Sequence, residues 1–196
     1  MNMHMYPDIN LQFRDFITQT KEYTIGIPKV YSHSGGRFIL QLYSPTHGSM
    51  SCKAVIEQIR KLVEAQPDAS YKIVIGTDSH TTKNVTTMVT ALIVHRVGRG
   101  AVFYFRKMRS RAMPDLRKRI YRETELSLEL VDALMKVGLD ELCTVWPLEI
   151  HVDIGQRGET KALIQEITGW ITSVGYTVRI KPDSFGASSV ADRFTS

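Results

Sequence analysis

The sequence predicts an α/β domain built on a mixed sheet, with three antiparallel strands first, then β-α-β-α, and helices on both faces. Three observations carry this. Between residues 71 and 108, three β-branched segments follow one another across short polar or glycine turns, too close together for an intervening helix. After Pro114 the apolar spacing changes to the helical period, and strand-like and helical segments then alternate, as they do in a sheet with covered faces. Residues 1–48 fit neither pattern. They are expected to be a mostly irregular arm ahead of a domain over residues 49–196, whose core begins near residue 70.

The arm is rich in turn formers (Gly35-Gly36, Ser44-Pro45, His47-Gly48), with one strand expected at Arg37–Tyr43. From Ser51, Val55, Ile56, Ile59, Leu62 and Val63 recur at helical spacing until Pro67-Asp68 closes the helix. Tyr71–Thr77, Val85–Val97 and Ala101–Met108 read as strands. The Gly98-Arg99-Gly100 turn makes the second and third of these antiparallel. Pro114 suits the first turn of a long helix reaching about Val137, with Gly138 as its C-cap. Leu148–Ile154 is a strand, Thr160–Val174 a helix stopped by Gly175, Tyr176–Ile180 a strand and Ala187–Phe194 a short closing helix.

With 196 residues, 43% hydrophobic and 23% charged, the chain has a globular composition, and wholesale disorder is excluded. Cys52 and Cys143 are far apart, with no CxxC and no histidine at zinc spacing, which rules out a disulfide scaffold and a zinc ribbon. No apolar run reaches the ~18 residues of a membrane span. Met1–Asn10 has neither the basic flank nor the apolar stretch of a signal peptide. The expectation is a soluble cytoplasmic protein without membrane contact. The net charge of +5 is unevenly spread. From Arg96 to Arg122 ten basic residues face Asp115 alone, a window of +9 that leaves −4 for the rest. Such a window suits a polyanion, because Lys and Arg displace counterions condensed on phosphates. Within it Arg106, Lys107, Arg109 and Arg111, where the third strand runs into the long helix, are the candidate nucleic-acid contacts.

Several acids stand where a fold has little use for them. Asp78 is placed at the carboxyl end of the first core strand, on one face with Val74 and Gly76. Open α/β sheets bind ligands at such ends. Asp153 takes a similar place on a later strand, sharing a face with Glu149 and His151. That face is costly to bury without a compensating cation. On the long helix, Glu123 falls on the stripe of Leu116, Ile120, Ser127, Leu130 and Leu134, whereas Glu125 groups with Lys118, Tyr121, Glu129 and Asp132 on a solvated face. Asp183 follows a strand, and Asp192 shares the last helix with Ser188 and Ser189. Carboxylates delivered by different elements suit hard divalent cations. Two such ions ~3.5–4 Å apart can clamp the attacking and leaving oxygens of a phosphoryl displacement. Ser79, His80 and His151 invite a nucleophile-and-base reading, but no acyl-enzyme arrangement is suggested.

Gly76-Thr77-Asp78-Ser79 ending a strand, then a hairpin and a glutamate-bearing helix, resembles ribonuclease H. So do Val152-Asp153-Ile154 and the closing Ser189-Val190-Ala191-Asp192. A closer likeness is to the YkuK family of uncharacterised bacterial ribonuclease H-like proteins, over roughly residues 44–196. Its marks here are Gly76-Thr77-Asp78-Ser79, Arg122-Glu123-Thr124-Glu125, His151-Val152-Asp153-Ile154-Gly155, Ile180-Lys181-Pro182-Asp183 and Ala187-Ser188-Ser189-Val190-Ala191-Asp192-Arg193.

The resemblance implies a ribonuclease H-like fold with Asp78, Glu123, Asp153 and Asp192 as catalytic, metal-ligating carboxylates. They would hold Mg²⁺ or Mn²⁺, with two ions expected. Glu125 remains an alternative to Glu123, and Asp183 to Asp192. The expected activity is metal-dependent phosphodiester hydrolysis, and the expected partner is RNA, RNA–DNA hybrid or structured nucleic acid. The fold also hosts proteins without turnover, so a non-catalytic nucleic-acid-binding module is the alternative.

Overall fold

The β-branched runs of the chain become the long strands of one sheet, and the helical stripes pack onto its faces. A computed structural model describes residues 31–34, 37–156, 159–186, 189–190 and 194. In order, the elements are β1 (Tyr31–Ser34), β2 (Arg37–Ser44), β3 (Gly48–Ser51), α1 (Cys52–Glu64), β4 (Tyr71–Thr81), β5 (Val85–Arg96), β6 (Gly100–Arg111), α2 (Leu116–Met135), α3 (Leu139–Cys143), β7 (Leu148–His151), a 3-10 turn (Glu159–Leu163), α4 (Ile164–Ser173) and β8 (Thr177–Arg179). Gly186, Ser189, Val190 and Phe194 are helical beyond β8.

The sheet order is β1-β2-β6-β5-β4-β7-β8, with β3 paired to β2. β4, β5 and β6 form the expected antiparallel meander, and β7 and β8 are added in parallel on the other side of β4. The strand expected at Arg37–Tyr43 forms as β2 (Arg37–Ser44), which docks antiparallel on β6 through Tyr43↔Phe105 and carries Leu42 into the core at 1% exposure. β1 and β3 pair with β2 as two further short strands that the sequence did not single out. Residues 1–30 of the arm lie outside the described residues.

Two cores lie on opposite faces. On one, Ile73, Ile75, Leu92, Val94, Tyr104 and Ile150 meet α1, α2 and α4. Ser51 caps α1 by accepting from Ala54 N, and Asp115 caps α2 by accepting from Lys118 N. On the other face, Val74, Val89, Ala91, Ile93, Phe103 and Phe105 are covered by Phe185, Val190 and Phe194. Gly186 lies so close to the sheet that a Cβ there would collide with Val74 Cγ1, an approach only glycine permits.

The sheet also opens at one place. β5 accompanies β4 as far as Thr81↔Thr86, but β7 parts from β4 after Gly76↔His151. The sequence ends the strand at Asp78, whereas β4 runs on through it because β5 pairs with it throughout. The relevant end is that of β7, and Asp78 stands beside the opening where the two parallel strands separate.

Candidate active site

Three of the four predicted carboxylates belong to elements that border this opening. In β4, Asp78 faces the closing segment and Ser79 faces α2. Ser79 N donates to Asp78 Oδ1 at 2.8 Å, and Ser79 Oγ donates to Glu123 Oε1 at 2.5 Å. Glu123 lies on the buried stripe of α2 and is only 6% exposed. Glu125, by contrast, is exposed and paired with Arg122. Below Glu123, Thr77 Oγ1 lies 2.9 Å from Ser127 Oγ, which fastens α2 to the sheet. Above it, Arg119 Nη1 donates to Thr81 Oγ1 at 3.2 Å.

Burial pushes the Glu123 carboxyl up to about 8. The Ser79 hydroxyl and the Arg119 charge draw it down, while the charges of Asp78 and Asp153 push it up. Asp78 and Asp153 are therefore each within electrostatic reach of Glu123. Asp153, just past β7, ion-pairs through Oδ1 with Lys181 Nζ at 2.7 Å. That oxygen is buried and accepts no hydrogen bond among the described residues. Asp183 is exposed, and Asp192 lies outside the described residues.

Glu149 and His151 share a face of β7 and are buried, as the sequence suggested, but their compensation comes from the protein itself. Glu149 pairs with Lys72 Nζ at 3.3 Å and with Arg179 Nη2 at 3.0 Å. The His151 hydrogen bond, helped by Arg179 and Lys72, holds its carboxyl at about 2 against the effect of burial. His151 Nδ1 accepts from Phe185 N and Gly186 N, both at 3.1 Å. The imidazole proton therefore resides on Nε2, which donates to Glu149 Oε2 at 3.2 Å. Burial also lowers the His151 pKa, which favours this neutral form. Ser79 is bound to Glu123 and His151 to Glu149, so the nucleophile-and-base reading finds no pairing between them.

The four basic candidates divide by strand parity. Lys107, Arg109 and Arg111 register with Val89, Thr87 and Val85, which puts them on the Asp78 face, and Asp78 itself registers with Val89. Arg109 and Arg111 are exposed and Lys107 half-buried. None of the three has a carboxylate partner among the described residues. Arg106 corrects the prediction. It points the other way, under α2, 3% exposed, donating from Nη2 to Leu126 O at 3.0 Å and pairing with Glu129 Oε2 at 3.2 Å. Buried and bound there, it is unavailable to a phosphate. Ser79, Arg119 and Lys181 join the site without having been selected as site residues. Each lies in a segment the sequence did mark, Ser79 beside Asp78, Arg119 in the basic window and Lys181 in Ile180-Lys181-Pro182-Asp183, but its place at the site was not legible there.

Among the described residues, no three His, Cys, Asp or Glu side chains converge closely enough to hold a metal ion. The donor chemistry nonetheless fits a hard divalent cation. Asp78, Glu123 and Asp153 offer carboxylate oxygens, and the buried Asp153 Oδ1 already holds a cationic ammonium.

The sequence model of the family described as Ribonuclease H-like matches residues 54–196. β1 to β3 therefore precede the matched region. The chain is 37% identical to the uncharacterized protein YkuK of Bacillus subtilis (strain 168) over 164 residues, covering 78% of this chain and 95% of that protein. No solved structure matches the chain significantly. Among the described residues, no helix is long and apolar enough to cross a membrane.

Proposed function

The chain belongs to the ribonuclease H-like family, and from that premise we propose that it is a metal-dependent nuclease. Its reaction is hydrolysis of phosphodiester bonds in RNA, RNA–DNA hybrid or structured nucleic acid. The observation that carries this reading is the grouping of Asp78, Glu123 and Asp153 at the opening between β4 and β7. Asp192 of the closing segment is the proposed fourth carboxylate.

These acids would hold Mg²⁺ or Mn²⁺, two ions in the full site, which when bound supply Lewis-acid stabilisation of the oxygens around phosphorus. The rest is the work of the chain's own groups. Asp78 presents its oxygens from β4, and Asp153 from the segment just past the end of the parallel strand β7. α2 delivers Glu123 from above, and the Ser79 hydroxyl fixes its rotamer. Lys107, Arg109 and Arg111 hold the backbone of the substrate. Their side chains recur every second residue, about 6.8 Å apart along β6, a spacing comparable to that of successive phosphates on one strand. They position the substrate and carry no sequence information.

The test incubates the purified full chain with labelled RNA, duplex RNA, RNA–DNA hybrid and a four-way junction, in Mg²⁺, Mn²⁺ or chelator. Cleavage of at least one substrate in metal and of none in chelator is expected. Binding without cleavage of any substrate would leave the non-catalytic binding module in its place.

A further inference from the structure

Lys181 is held beside the carboxylates by more than a surface ion pair. The β7–β8 pairing continues past both strand ends, with Val152 N donating to Arg179 O and Lys181 N to Ile154 O, each at 2.9 Å. This ladder sets Lys181 next to Asp153. Gly155 leaves room for its stem, since a Cβ at that position would lie 3.2 Å from Lys181 Cβ. The ammonium reaches Asp153 Oδ1 at 2.7 Å, while the side chain remains 55% exposed. One end is thus fixed by backbone and the other is free to swing on a flexible four-carbon stem.

Asp78 and Asp153 each repel Glu123 when charged, and two cations, Arg119 and Lys181, stand beside these acids. Arg119 is tied to Thr81. Asp153 is the one carboxylate partner of Lys181 among the described residues. We infer that Lys181 is a built-in counter-cation of the site: its ammonium keeps the place of a divalent ion on Asp153 and withdraws when that ion binds. Metal entry then exchanges one cation for another instead of filling a bare anionic cleft. This inference rests on the metal-dependent reading above.

Calorimetric titration of the metal-stripped full chain with Mn²⁺ tests it. Removing the competitor by Lys181→Gln should lower the dissociation constant about tenfold. Lys181→Arg, which keeps a cation on the stem, should stay at the wild-type value. Lys136→Gln, which removes a charge from the remote pair with Asp132, should change nothing. Unaltered or weaker Mn²⁺ binding by Lys181→Gln would overturn the inference while leaving the metal site standing. Absence of Mn²⁺ binding in every protein, wild type included, would overturn both. Thermal unfolding gives a second readout. In chelator Lys181→Gln should melt below wild type, because Asp153 has lost its partner, and Mn²⁺ should raise its melting temperature by more than it raises that of wild type. An equal gain in the two proteins would contradict the exchange.

Discussion

Ser79 and Glu123 join β4 to α2 through a 2.5 Å hydrogen bond between two side chains 44 positions apart. The bond aims the one acid of α2 that faces inward, next to the acid that precedes Ser79 in the strand. It also places a carboxyl where burial raises its pKa to about 8, which makes the metal-free protein sensitive to pH.

The sign of that sensitivity follows from linkage. Between the ordinary glutamate value near 4.5 and about 8, the folded chain retains a proton that the unfolded chain has released. The contribution of Glu123 to stability is complete below this window and is lost as pH rises through it. In chelator, Glu123→Gln should therefore match wild type near pH 5 and melt at a higher temperature by pH 8.5. Melting curves at the two pH values check this, and a constant difference between the proteins would contradict it.

The acids should differ in role. Asp78→Asn and Asp153→Asn each remove one charged oxygen donor with little change of shape, so cleavage should disappear while the fold survives. Glu125→Gln should have little effect, because Glu125 is exposed and engaged with Arg122, an interaction worth about 0–1 kcal/mol. Loss of cleavage in Glu125→Gln with retention in Glu123→Gln would transfer the role to Glu125.

Parity along β6 separates binding from stability. Replacing Lys107, Arg109 or Arg111 by Gln should weaken nucleic-acid binding similarly for all sequences. The log–log salt slope should flatten by roughly 0.7–0.9 for each phosphate that is no longer neutralised. Arg106→Ala should leave the slope unchanged and destabilise the fold by about 1–3 kcal/mol, since it strips buried hydrogen bonds to Leu126 O and Glu129. Salt titrations with denaturant unfolding distinguish the two classes.

What the sequence could reveal here tracks the range of the interaction. Glu123 was legible because a 3.6-residue period places it among Ile120, Ser127 and Leu130, all buried in α2. The meander and the parallel addition were legible from turn glycines and from alternating strands and helices. The parity of Arg106 against Lys107, Arg109 and Arg111 was also present, but a charge window counts residues without regard to face. Lys181 stood in a recognised motif, but its contact with Asp153 was hidden, since only the pairing of β7 with β8 brings the two together across 28 positions. The same holds for Lys72 and Arg179, which neutralise Glu149 from two other strands.

The central claim is that Asp78 and Asp153 form one cation site at the opening between β4 and β7. Anomalous diffraction from crystals equilibrated with Mn²⁺ tests it most directly. The account predicts a peak about 2.0–2.6 Å from a carboxylate oxygen of each aspartate, with the Lys181 ammonium turned away from Asp153. Well-ordered Asp78 and Asp153 without a peak between them, or Mn²⁺ bound only elsewhere on the chain, would contradict it.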